Sequence, residues 1–91
     1  MKNLPKDVTA YKRTPEFNER TVPKGLLNAH RTRAGTWAEI VVLAGELRYV
    51  ILEPARESHI LSVDEPGVVE PTVLHQVAPM GSVRFYVQFY A

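Results

Sequence analysis

No cysteine occurs among the 91 residues, which excludes a disulfide framework, a thiolate metal site and a cysteine nucleophile. Any metal bound here must take nitrogen and oxygen ligands. An excess of one charge is also lacking: 11 Lys and Arg stand against 10 Asp and Glu, a formal net charge of +1. That balance sets up no global field, so neither nucleic acid nor a membrane surface is an expected partner. No apolar run approaches the roughly 20 residues that span a bilayer, and the opening "MKNLPKDVTAYKR" has no apolar leader. The expected compartment is the cytoplasm. GxSxG, GxxxxGK, GxGxxG and HExxH are all missing, which removes the best sequence signs of serine chemistry, nucleotide binding and a zincin site.

What is present describes one small domain over residues 1–91. An apolar fraction of 45% with 23% charged residues is that of an ordinary globular chain. Five glycines and seven prolines divide it into short pieces rich in Val, Ile, Leu, Tyr and Phe, as strands are. "TWAEIVVL" and "ELRYVILE" flank Ala44-Gly45, which predicts a hairpin there. "EPGV" fits a type II turn with Gly67 at positive φ, and "PMGS" fits another reversal before the alternating strand "VRFYVQFY". Period-two alternation assigns Val41, Leu43, Leu47, Tyr49, Ile51, Val83, Phe85, Val87 and Phe89 to the core. One helical turn capped by Thr14 fits "TPEFNERTVPKG", where Pro15 suits a first helical position. Seven or eight short strands predict an all-β protein, an antiparallel sandwich or small barrel. The final strand also carries Tyr86 and Tyr90 on its second face, a surplus that predicts a homodimer interface or a pocket lining.

Of the three histidines, His59 lies among charged and small polar residues in "ARESHILS" and reads as part of a solvated hairpin. His30 and His75 differ. His30 shares an extended face with Asn28 and Thr32, and His75 closes the apolar stretch "VVEPTVLH". Imidazoles on neighbouring strands can meet and hold one divalent ion, although two unrelated histidines are more often hydrogen-bonded structural residues. His30, Arg31 and Arg33 form a basic cluster able to hold an oxyanion; the plainer reading leaves both arginines solvated. Asp64-Glu65 reads as a solvated turn, and Trp37 as core.

"GLLNAHRTRAGTWAEIVVLAGELRY", "VVEPTVLHQVAP" and "VRFYVQFY" resemble the TehB/YeaR-like domain family, small cupin-type proteins associated with tellurite resistance and with nitrate or nitric-oxide responses. The resemblance covers nearly the whole chain and implies a cupin-like double-stranded β-helix. It carries His30 and His75 over as metal ligands. Thr32 stands where the general cupin pattern has its second histidine, so two of the usual three remain. Glu70 and Gln88 are then the candidate third oxygen donors, with Glu39 a weaker one, and zinc is the ion best suited to two imidazoles and an oxygen. The function this implies is a small metal- or ligand-binding protein of a tellurite, oxyanion or nitrosative stress response, with a small-molecule or oxyanion ligand. The alternatives are a metal-dependent cupin enzyme of unknown reaction and a metal-free structural or protein-interaction domain.

Overall fold

The glycines within the two longest apolar runs bend strands instead of ending them. In the computed structural model, which describes all 91 residues, Trp37–Ile51 form one strand, β3, through Gly45, and His75–Tyr90 form another, β6, through Gly81. The two pair antiparallel along their length, from Trp37 with Tyr90 to Ile51 with His75. The pairing slips between Val42 and Ala44 and again between Gly45 and Leu47. Gly45 and Gly81 take φ of 78° and 81° at this bend, the left-handed region that disfavours a side chain. A Cβ on Gly45 would also collide with the backbone carbonyl oxygen of Ser82. The hairpin expected at Ala44-Gly45 and the reversal expected at "PMGS" are therefore bulges in a paired, bent ribbon.

The bend resets which residues face inward. Before it, Ala38, Ile40 and Val42 are buried; after it, Leu47, Tyr49 and Ile51 are. Val41 is only half-buried and Leu43 is exposed, so the core assignment fails in the first arm and holds in the second. A shift of one residue turns a whole strand face over. Val77, Val83, Phe85 and Val87 of β6 complete one continuous cluster, with Phe89 half-buried against it.

Shorter elements flank this ribbon. They are β1 (Ala10–Arg13), β2 (Phe17–Asn18), the single helical turn α1 (Lys24–Leu27), β4 (Glu57–Leu61) and β5 (Gly67–Val69). The sheet runs β1-β6-β3-β4, with β2 also on β6 and β5 also on β3. It is an all-β, antiparallel, six-stranded sheet that does not close into a barrel. No helix is long and apolar enough to cross a membrane.

Two local expectations shift. The turn before β5 lies at Val63-Asp64, where Ser62 and Glu65 exchange backbone hydrogen bonds of 3.2 and 3.1 Å. Gly67 is inside β5 without a positive φ, and its missing Cβ admits Leu61 and Tyr49 side chains. Thr14 caps no helix. Its backbone N–H donates to the Val87 carbonyl and its hydroxyl accepts from the Val87 N–H, both at 2.9 Å, which extends the sheet instead. Beyond β1, Thr9 and Ala91 likewise exchange backbone hydrogen bonds of 2.9 and 3.0 Å.

Candidate functional site

His30 and His75 meet. The segment after α1 runs back beside the start of β6, and the two histidines exchange both backbone hydrogen bonds, at 2.9 and 3.0 Å, in an isolated antiparallel bridge. Their side chains therefore lie on the same side of the pair, with ring centroids 4.0 Å apart. Tyr49 packs edge-on against His75 from the core side, centroids 5.7 Å apart, so that ring is held between two aromatic neighbours.

Both imidazoles are oriented by the same device. Nδ1 of His30 lies 2.9 Å from the Asn28 carbonyl oxygen, and Nδ1 of His75 lies 2.9 Å from that of Val73. A carbonyl only accepts, so each Nδ1 carries the proton and donates it. Each Nε2 is left with a lone pair. His75 is only 3% exposed, yet no fully occluded side-chain nitrogen or oxygen lacks a partner. Its Nε2, which makes no hydrogen bond, thus opens onto the adjoining cavity. Burial, with a smaller contribution from nearby His30, lowers the His75 pKa to about 4, against the hydrogen bond to Val73 that raises it. The ring is neutral at pH 7.

That cavity, about 420 Å³, lies between the inner face of the sheet and the chain from Leu26 to Thr36, with β1 at its mouth. Ala38, Ile40, Val77, Phe85, Val87 and Phe89 form an apolar floor. Lys12, Arg31 and Arg33 are exposed cations at the opening, and no carboxylate lines the space. Arg31 reaches Glu53 at 3.0 Å. Thr32 ties the loop in place: its hydroxyl donates to the Thr36 carbonyl at 2.9 Å, and its own carbonyl accepts from the Thr72 N–H at 3.2 Å. Thr72 holds a φ of 66°, unusual for a β-branched residue, in the turn that precedes His75.

Of the four residues the sequence singles out as ligands, only the histidines are brought together. Glu70 is directed to Lys2, with 3.6 Å between carboxylate and ammonium, and Gln88 donates to the Lys12 carbonyl at 2.8 Å. Neither lines the cavity. Glu39 accepts from the Tyr90 hydroxyl at 3.3 Å, also away from it. No group of three or more His, Asp or Glu side chains converges anywhere in the molecule. His59 sits on β4, 3.0 Å from the Glu57 carboxylate, apart from the pair. Arg31 and Arg33 are exposed, as the plainer reading has them, and they also line the cavity mouth. Sequence reasoning missed Lys12, which reaches the site only because β1 lies against the end of β6. Nothing in "AYKR" signals it.

Residues 12–87 match the TehB-like domain family. The crystal structure of TehB from Haemophilus influenzae superposes with a TM-score of 0.87 at 25% identity, covering 94% of this chain and 32% of that one. The chain thus spans about a third of the length of that protein. A crystal structure of a protein from E. coli (strain K12) superposes with a TM-score of 0.88 at 19% identity, covering 100% of this chain and 97% of that one, a likeness of fold. No curated protein matches the sequence.

Proposed function

The chain belongs to the TehB-like domain family, which is linked in general to tellurite resistance, and from that membership we propose a small metal- or ligand-binding module whose centre is the His30–His75 pair. The observation that carries this is the matched orientation of the two rings: each Nδ1 is spent on a backbone carbonyl, and the cavity-facing Nε2 of His75 keeps a free lone pair. Histidines that bind metals are commonly fixed in this way, because the second hydrogen bond sets both tautomer and ring direction. The donor chemistry fits zinc as two of its four ligands; water or a cavity ligand would complete the set. Bound there, zinc would supply a Lewis-acidic centre beside an apolar chamber.

The reading extends to a cupin-type fold, for which the bent sheet around a histidine-walled cavity is the support. It extends also to a cytoplasmic homodimer joined through the outer face of β6, where Tyr86 and Tyr90 stay half-buried. Binding comes before catalysis in this proposal, since no carboxylate stands in the cavity to partner the two histidines in proton transfer.

Calorimetric titration of the metal-free protein with zinc tests it. His30→Ala and His75→Ala should each weaken binding at least tenfold, while His59→Ala leaves it unchanged. Equal affinity in wild type and either cavity variant would remove the proposal.

A further inference from the structure

The same cavity that the metal-binding reading uses has a polarity that identifies a second ligand. We propose that it takes a small organic monoanion with an apolar body, its charged group at the mouth between Lys12 and Arg33 and its body on Phe85 and Phe89. A bare inorganic oxyanion is not the ligand this space is built for.

Charge gives the first argument. Three cations line the opening and no Asp or Glu does. Arg31 is paired with Glu53, whereas Lys12 and Arg33 form no ion pair with any carboxylate. Two positive charges at one mouth are thus free for an incoming anion. Size gives the second. The volume of about 420 Å³ falls within the roughly 300–1,000 Å³ range of small-molecule pockets. A four-atom oxyanion displaces about two or three waters of roughly 30 Å³ each and would leave most of the space unfilled. The interior provides the third. Its floor is hydrocarbon and aromatic, which offers nothing to a hydrated inorganic anion and much to an aliphatic or aromatic body. The imidazole wall agrees, because an Nε2 lone pair repels an anionic oxygen set directly against it. The anion is held at the mouth, and the wall is left for a hydroxyl donor or a metal ion.

Benzoate, 4-methylpentanoate, benzamide and nitrate serve as probes. Each is titrated by calorimetry, and by amide chemical-shift perturbation, into wild type and the Lys12→Ala/Arg33→Ala double variant, once with chelator and once zinc-loaded. At least one of the two carboxylates should bind wild type saturably, shift resonances of Phe85 and Phe89, and weaken tenfold or more in the double variant. Benzamide and nitrate should bind at least tenfold more weakly than that carboxylate. Nitrate binding as tightly, an unchanged affinity in the double variant, or no saturable carboxylate binding in either metal state would overturn the proposal. Both substituted side chains are exposed, so the variant keeps its fold, and its zinc affinity should be no weaker than that of wild type, since two like charges have been removed. Zinc binding that depends on His30 and His75 without carboxylate binding would sink this inference alone.

Discussion

At the scale of single residues, His75 is held by its backbone bridge to His30, its Nδ1 hydrogen bond and two ring neighbours. It is buried beside Tyr49 and His30 and titrates near 4 in the metal-free fold, below the 6.5 of an unperturbed histidine. Between those values the unfolded chain takes up a proton that the folded ring refuses. Stability is therefore fully present above about pH 6.5 and declines as pH falls toward 4. Urea unfolding of metal-free protein across that window should show His75→Gln losing less stability than wild type, by on the order of 2 kcal/mol. Equal slopes would mean that the folded ring takes up its proton as readily as the unfolded one does. The meeting of His30 and His75 was expected through the family resemblance, whereas the residues alone left two separate structural histidines as the plainer reading, because antiparallel register between distant stretches is not written in either of them. The third donor was not legible either. Strand register sends Glu70 toward Lys2 and Gln88 toward the Lys12 carbonyl, and nothing local to either residue encodes that choice.

Among the elements, β3 and β6 carry the fold, and their bend is its most sensitive point. Gly45→Ala combines a left-handed backbone with a collision against the Ser82 carbonyl. It should cost at least about 3 kcal/mol in denaturant unfolding, the upper end of the usual penalty for such a φ or more. Thr72 lies at the opposite extreme, a residue held at φ 66° whose structural hydrogen bonds to Thr32 run through its backbone N–H. Thr72→Asn keeps that N–H and tolerates the conformation better, so it should raise stability by about 1 kcal/mol in the same measurement. The alternation after the bend was readable, and Leu47, Tyr49, Ile51, Val83, Phe85 and Val87 are buried as the pattern says. The stretch before it was misread by one residue. A glycine between two apolar runs has the same sequence signature whether the chain reverses or bulges, and only the partner strand decides.

For the whole molecule, the dominant pairing joins residues far apart in the chain, Trp37 with Tyr90 at one end and Ile51 with His75 at the other. Closing such separations costs chain entropy before any contact forms. Refolding should accordingly take milliseconds to seconds, as for other sheets of high contact order, and stopped-flow fluorescence of Trp37 reports it. A microsecond phase of full amplitude would contradict this. The proposed homodimer should give twice the chain mass in light scattering at high micromolar concentration, and Tyr86→Glu should halve it.

The backbone exchange between Thr9 and Ala91 places the strand entering the sheet directly beside the one leaving it. A sheet entered and left along one edge can be spliced there, although the chain before Thr9 runs on to Met1, whose amino group meets Glu57 at 3.0 Å. It can sit inside a surface loop of a host protein without stretching the host, or trail from one on a short tether. It can equally be re-cut: a chain that omits residues 1–8, joins Ala91 to Thr9 by a few flexible residues and opens instead at Val63-Asp64, a solvent-facing tip, retains every pairing of β3 with β6. Such a permutant should fold to the same sheet with its histidines still side by side, so the cavity depends on which strands adjoin and not on the order in which the chain supplies them.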